Sequence, residues 1–256
     1  MSVTSGQSLR VPTAVVLGLF WAVISGDIMR LLAPNGALGL PYGRSFLASF
    51  SDVVVLTVML RLVGGIRLAR ITDVVGLRRP AARSIVSLAT ILSVATIVCA
   101  LTAPQSASLR FADLAWLGIG GPVFEEINYR GLAIGGLMVF AGWRFFPAAL
   151  IPSVVFGVAH ASQGQSLIEA AGVVAITALG SLLFGWLYVR WRKNLWPSIV
   201  AHCGMNTLWE IFAMGDSAIG GWYGNAVRLA LIIAIVGSTW WLTRDDESSK
   251  ATFARG

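Results

Sequence analysis

The chain has 256 residues, of which 56% are hydrophobic and 12% are charged, and its mean hydropathy is +0.77. Soluble domains carry about 25% charged residues, so this chain has too little polar surface to cover a water-soluble globule. The formal net charge of +7 does not indicate a nucleic-acid-binding protein, because the Lys and Arg residues lie between apolar runs rather than on one face. Cys99 and Cys203 both lie in apolar segments and are expected to be buried free thiols. The composition indicates a single integral membrane domain over residues 1–256.

Apolar segments recur along the whole chain, and a membrane-spanning helix takes about 20 such residues. The predicted helices cover residues 12–32, 46–63, 84–103, 122–142, 147–160, 167–189, 196–214 and 226–242. The fourth is predicted to begin at Pro122, because the preceding glycines interrupt the apolar run and proline fits the first turn of a helix. Residues 110–117 are a short lead-in. The sequence therefore predicts an all-α fold, a polytopic membrane helix bundle of about eight transmembrane helices.

The basic residues predict the orientation of the bundle. With the N-terminus inside, the inner segments hold fourteen of the 19 Lys and Arg side chains and the outer loops hold four, while Arg130 lies within the membrane. The largest inner group lies at and after the end of the second helix: Arg61, Arg67, Arg70, Arg78, Arg79 and Arg83. An excess of Lys and Arg marks cytoplasmic segments. We therefore expect a multi-pass protein with both termini in the cytoplasm, which impermeant labelling of each terminus would test. Separately, the membrane is expected to be a prokaryotic cell membrane.

Two adjacent carboxylates and a guanidinium lie inside one apolar segment, at Glu125, Glu126 and Arg130. Ionised groups are costly in hydrocarbon, so they occur there chiefly where a site needs them. Glu126 and Arg130 are four residues apart, share a helical face and can pair. Glu125 points about 100° away, toward the face of Tyr129, and is left free to act as a general base. The alternative is a salt-bridge cluster that only joins helices.

The only two histidines, His160 and His202, also lie in apolar segments. Phe156 and His160 are four residues apart and share a helical face, as do His202 and Asn206. Glu210 lies four residues after Asn206 and extends this polar face of the helix. These patterns favour catalytic side chains. A histidine near a helix end is also typical of interfacial residues, and a polar stripe is typical of hydrogen bonding between helices.

Other reactive or ionisable side chains are not expected to take part. Cys203 points about 100° away from the face of His202 and is rejected as a base-activated nucleophile. Four aspartates are expected to be in water near the ends of the spans: Asp27, Asp52, Asp113 and Asp216.

Together these motifs resemble the CAAX protease and bacteriocin-processing family of intramembrane glutamate proteases. The family pattern is Glu-Glu-x-x-x-Arg, then Phe-x-x-x-His, then His-x-x-x-Asn or Asp, on three helices. This chain has the three motifs at 125–130, 156–160 and 202–206, in that order and in apolar segments. Tyr129 stands where many members have Phe. The resemblance covers about residues 114–212, the predicted catalytic core.

The resemblance implies an endopeptidase in which an activated water attacks the peptide bond without a covalent intermediate. Glu125 and His160 would hold and deprotonate the water, while His202 and Asn206 would donate hydrogen bonds to the oxyanion.

The same resemblance implies supporting residues and partners. Glu126 and Arg130 would support Glu125, with Tyr129 and Phe156 beside the catalytic groups. The substrate would be a membrane-associated peptide or protein, met in the lipid bilayer, and nucleic acid is not an expected partner.

No cofactor is expected, since the family is generally regarded as metal-independent. Two histidines and a glutamate are nevertheless a known zinc ligand set, with water in the open position. Zinc therefore stays an alternative, although the chain has no His-Glu-x-x-His motif.

The depths predicted for the three side chains that are expected to converge do not agree. Counted from the cytoplasmic ends of their helices at about 1.5 Å per residue, Glu125 and His160 come out deep and His202 comes out shallow. If the three side chains meet, at least one predicted helix boundary or tilt is wrong.

Two functions of other classes remain as alternatives. One is a non-proteolytic membrane scaffold or bacteriocin-immunity protein of the same family, in which alanine variants of the motif residues would unfold or keep full biological activity. The other is a transporter that uses the buried carboxylates for protons, which proton-coupled uptake by proteoliposomes would reveal. The sequence shows no internal repeat of the kind found in many transporters.

Overall fold

A computed structural model describes residues 7–78, 80–107 and 110–244. Arg79 of the basic segment, the first six residues and the polar tail from residue 245 onward lie outside the described residues. Within the described part the chain forms nine helices, and its longest ones pack side by side in a bundle. They are α1 Gln7–Leu32, α2 Gly43–Leu62, α3 Leu68–Val75, α4 Ala82–Thr102, α5 from Phe111 to Phe140, α6 Phe145–Ala159, α7 Leu167–Arg190, α8 Trp196–Ile211 and α9 Trp222–Thr243.

Six of these helices, α1, α2, α4, α6, α7 and α9, are long and apolar enough to cross a membrane. Helices α5 and α8 account for the other two predicted spans. The prediction of an all-α, multi-pass membrane protein is confirmed, and most predicted boundaries lie within a few residues of the observed ones.

Helix α5 does not begin at Pro122, so that prediction is wrong. The helix starts at Phe111 and passes through the glycines, with Gly120 and Gly121 both in helical conformations. Its turns are widened to π geometry over Leu114–Gly120 and Glu126–Ile134. Such π segments interrupt the regular i to i−4 hydrogen bonds of an α-helix. Pro122, which has no backbone N–H to donate, can therefore lie inside this helix. Glu125 therefore lies in the middle of α5, not in its first turn.

Helix α3 was not predicted. It is short and lies among arginines, yet it buries Ile71, Val74 and Val75 against the bundle. The absent side chain of Gly131 allows this contact, since a Cβ there would be 3.1 Å from the Cα atom of Val75. An amphipathic helix of two turns has too few apolar residues to be recognised by hydropathy.

Helix α8 begins inside the bundle rather than at its edge. Leu195, just before it, is fully buried. In the first turn, the hydroxyl of Ser198 donates to the carbonyl oxygen of Phe184, more than one turn before α7 ends. Because α8 starts deep in the bundle, it needs only a few residues to reach the middle of the bundle. His202 therefore meets Glu125, and the conflict in predicted depth came from placing the start of α8 at the membrane edge.

Gly157 holds α6 close to α7. A Cβ at this position would lie 2.5 Å from the carbonyl oxygen of Val174 and 3.2 Å from the Cβ of Ala178. We expect Gly157→Val to force the two helices apart and to lower the free energy of unfolding by about 1–3 kcal/mol, measured by thermal unfolding in detergent. Gly237→Val on α9 is the matched control, because a Cβ there meets nothing within 4 Å. Equal unfolding temperatures for the two variants would contradict this packing.

Candidate active site

Side chains from three helices converge in the middle of the bundle. Glu125 comes from α5, His160 from the C-terminal end of α6 and His202 from α8. The Nε2 atom of His160 is 3.8 Å from one carboxylate oxygen of Glu125, and the Nε2 atom of His202 is 3.7 Å from the other. Both histidines therefore face the same carboxyl group. The side chains of Glu125 and His160 are 26% and 22% exposed, so this space is reachable from outside the protein.

Behind these groups lies a buried ion pair. Arg130 Nη1 is 3.1 Å from Glu126 Oε1, and both side chains are fully buried. The same oxygen of Glu126 is 2.8 Å from Nδ1 of His202. The predicted pairing of Glu126 with Arg130 is present, and its direct contact is with His202 rather than with Glu125.

Two phenylalanine rings enclose the guanidinium. Arg130 lies over Phe156 at 4.8 Å from the ring centroid and over Phe184 at 5.4 Å. Phe184 also stacks on the ring of His202, with centroids 4.5 Å apart and planes 17° apart. The ring of Phe156 is 4.3 Å from that of His160. Cation–π attraction offsets part of the cost of burying the guanidinium, and the same rings fix the orientation of both imidazoles.

The hydrogen bonds at the Nδ1 atoms of the two imidazoles determine how their Nε2 atoms face Glu125. Nδ1 of His160 lies 2.7 Å from the carbonyl oxygen of Phe156. A carbonyl oxygen only accepts, so this nitrogen carries a hydrogen and Nε2 of the neutral ring has a free lone pair. Nδ1 of His202 donates in the same way to the carboxylate of Glu126. Each ring is thus held from behind and directs Nε2 toward Glu125.

The remaining predicted residues lie at the same site. The side-chain amide of Asn206, one turn beyond His202, donates to the carbonyl oxygen of Leu117 at 3.2 Å. Tyr129 is buried, with its ring edge-on to Phe156 at 5.0 Å between ring centroids. The structure therefore brings together all eight residues that the sequence singled out.

A cleft of about 550 Å³ opens onto Glu125, His160, His202 and Asn206. Its lining is mainly apolar, with some polar side chains besides the four named. The apolar lining includes Ile176, Leu179, Leu183, Met205, Leu208, Leu231 and Ile232, and the further polar lining includes Gln163, Glu210, Asp216, Ser217 and Arg228. This is the shape expected for a site that takes a mostly apolar segment and holds it by a few polar groups.

The expectation that Asp52 is in water near a span end is wrong. It lies within α2 and is partly buried, and its Oδ1 atom is buried without a hydrogen-bond partner among the described residues. The sequence feature that could have indicated a position inside the helix is the apolar run of residues 53–58, which directly follows Asp52. The other three aspartates lie near helix ends or in a loop, as expected. Asp27 pairs with Arg30 and Asp216 is exposed, but the side chain of Asp113, which pairs with Arg110, is only 15% exposed and is not in open water.

Cys203 lies apart from the hydrogen-bonded histidines. Its Sγ atom is 3.7 Å from the carbonyl oxygen of Ile119. Within the described ranges, no three or more His, Cys, Asp or Glu side chains are grouped so that they could hold a metal ion.

Comparison with known proteins covers the same helices. The type II CAAX prenyl endopeptidase Rce1-like family matches residues 107–208. A Bacillus subtilis (strain 168) protein named "Putative membrane peptidase YdiL" is 40% identical over 89 residues, which are 35% of this chain and 32% of that protein. The alignment thus spans about a third of the relative's length. No solved structure matches the chain. The three motifs of the site and the family match thus lie on the same helices, and residues 107–208 of this chain are similar to the Rce1-like family.

Proposed function

We propose that this protein is an intramembrane endopeptidase that hydrolyses a peptide bond with a water activated by Glu125. The observation that carries the proposal is the approach of both Nε2 atoms, from His160 and His202, to the two oxygens of one carboxylate that lines a cleft. The family match and the peptidase name of the Bacillus subtilis relative support the same activity.

The first step is activation of the water. The 3.8 Å separation of Glu125 from His160 is too long for a direct hydrogen bond and suits a bridging water. The water donates one hydrogen to Glu125 and the other to the lone pair of His160 Nε2. Its oxygen attacks the scissile carbonyl carbon as Glu125 accepts the first proton, so that a C–O bond forms and the carbonyl oxygen becomes an oxyanion.

The second step is stabilisation of the oxyanion and loss of the amine. Because Nδ1 of His202 donates to Glu126, this ring donates to the oxyanion from Nε2 when it carries both protons. Asn206 supplies a second donor from the next turn of α8. As the tetrahedral intermediate collapses, the C–N bond breaks and the proton held by Glu125 passes to the amine nitrogen, which restores the carboxylate.

The cleft indicates the kind of substrate. Its largely apolar walls fit a membrane-associated peptide or protein segment rather than a charged, soluble one. The excess of Lys and Arg in the inner segments supports a cytoplasmic position for both termini.

The catalytic assignment predicts loss of cleavage without loss of fold. We expect Glu125→Gln, His160→Ala and His202→Ala each to lower cleavage by at least about 100-fold, since a positioned acid or base contributes that much or more. The measurement is hydrolysis of quenched fluorogenic membrane peptides in proteoliposomes, with peptides chosen for cleavage by the wild-type chain. Asp27→Asn, which changes an exposed carboxylate, should keep the wild-type rate. Undiminished cleavage by any of the three variants would refute the role assigned to that residue, and full biological activity in all three would favour the scaffold alternative.

The buried ion pair predicts a separate effect on stability. Arg130→Met leaves the carboxylate of Glu126 buried without its cation, which costs about 3–5 kcal/mol in comparable pairs. We expect the unfolding temperature in detergent to fall well below that of Glu125→Gln, whose carboxylate is partly exposed. The double variant Glu126→Gln/Arg130→Met removes both charges and should recover most of the loss. If Arg130→Met alone were as stable as the wild type, the buried pair would not be the support described here.

The metal alternative has a direct test. We expect dialysis of the purified protein against EDTA and 1,10-phenanthroline to leave the cleavage rate unchanged, because in this mechanism Glu125 and His160 bind the water without a cation. Zinc content is measured by atomic emission on the same samples. One zinc per chain, with activity lost on chelation and restored by zinc, would replace the water-only mechanism with a zinc-dependent one.

A further inference from the structure

Gly180 is a glycine of helix α7 that contact between helices does not explain. A Cβ atom at this position would meet nothing within 4 Å, whereas a Cβ at Gly157 or Gly185 would come closer than 3.0 Å to an atom of a neighbouring helix. Glycine inside a helix is less stable than alanine, because it loses more conformational freedom on folding. The absent side chain of Gly180 therefore has a reason other than close packing.

The open space at Gly180 belongs to the cleft that contains the proposed catalytic groups. Gly180 lines this cleft together with Glu125 and His202. The residues three and four positions before and after it on α7 line the cleft as well: Ile176, Thr177, Leu183 and Phe184. Residues at these spacings share one face of a helix. Gly180 thus lies at the centre of the face that α7 turns to the cleft, and a side chain there would project into it.

Phe184 relates this space to the reacting groups. It lies one turn after Gly180 on α7, and its ring stacks on the imidazole of His202 with centroids 4.5 Å apart. One turn of an α-helix rises about 5.4 Å, and an extended peptide advances about 3.3 Å per residue. A peptide whose scissile carbonyl lies at His202 therefore has a side chain beside Gly180 about one or two residues from that carbonyl.

The cleft that faces Gly180 suits an apolar side chain. Helix α8 contributes Met205 and Leu208 to its lining, and α9 contributes Leu231 and Ile232. Moving a charged group from water into such surroundings is costly unless it is paired. The substrate residue that fits here is therefore large and apolar.

Two other helical glycines show that open space alone does not define this position. Gly26 on α1 and Gly237 on α9 also have nothing within 4 Å of a Cβ, but both are exposed and neither lines the cleft. Among the helical glycines that the structure describes, only Gly180 combines open space with a place in the cleft.

We propose that Gly180 determines substrate specificity, because its missing side chain leaves room for a bulky apolar side chain of the substrate about one or two residues from the scissile bond. The inference rests on the proposed function and adds the kind of residue that the substrate carries. A side chain introduced at position 180 would fill this room and select for a small residue in the substrate.

An exchange of size between protein and substrate tests the inference. The probes are quenched fluorogenic membrane peptides cleaved by the wild-type chain, made in pairs with Ala or Trp at each of the two positions on either side of the scissile bond. At one position, Gly180→Leu should raise the ratio of kcat/KM for the Ala peptide to that for the Trp peptide by at least about 10-fold, since a methylene in an apolar pocket changes such ratios by about 10–200-fold. Gly180→Ala should give a smaller rise.

Gly237→Leu is the matched control and should keep the wild-type ratio, because it adds the same side chain outside the cleft. Unfolding temperatures show which variants are folded. A folded Gly180→Leu with the wild-type ratio at every position would overturn the inference. If Gly180→Leu does not fold, the ratio in Gly180→Ala decides in the same way.

Binding of the same peptides separates the inference from the proposed function. It is measured by fluorescence anisotropy on Glu125→Gln and on Glu125→Gln/Gly180→Leu, where the second variant should bind the Trp peptide at least about 10-fold more weakly relative to the Ala peptide. If Glu125→Gln abolishes cleavage but position 180 changes neither ratio, only the inference about Gly180 is wrong. If Glu125→Gln cleaves at the wild-type rate while both ratios shift, the role proposed for Glu125 is wrong and the assignment of Gly180 stands.

Discussion

The site depends on a buried ion pair between Arg130 and Glu126, together with the hydrogen bond from His202 to the same carboxylate. The guanidinium and the carboxylate are fully buried 3.1 Å apart, and the carboxylate accepts from the imidazole at 2.8 Å. Removing such charges from water is costly, so each member requires the others. These contacts join α5 to α8. The rings of Phe156 on α6 and Phe184 on α7 enclose the guanidinium of Arg130. This arrangement fixes the orientation of the His202 ring within the helix bundle.

Much of this site could be predicted from the sequence, for a simple reason. A charged residue in an apolar segment is conspicuous, and four-residue spacing on a helix places two side chains on one face whatever the rest of the fold does. The pairing of Glu126 with Arg130 and the common face of Phe156 and His160 follow from spacing alone. The apolar runs likewise predicted most helix boundaries, because spanning a bilayer fixes their length.

The parts that were missed depend on contacts between distant segments. The continuity of α5 through Pro122 relies on widened turns, and the recessed start of α8 relies on a hydrogen bond from Ser198 to another helix. Neither leaves a periodic signal. Helix α3 was missed because hydropathy does not detect two amphipathic turns. The position of Asp52 was predicted wrongly because a lone aspartate in an apolar run carries no sequence information about which side chains surround it.

The most direct test of the account is an experimental density map of the purified protein at a resolution that shows ordered water. The account predicts a water within about 2.6–3.2 Å of both a Glu125 carboxylate oxygen and His160 Nε2, with His202 Nε2 directed at the same space. A peak at about 2.0–2.2 Å from these atoms with the anomalous signal of zinc would contradict it. So would a map in which Glu125, His160 and His202 face different surfaces.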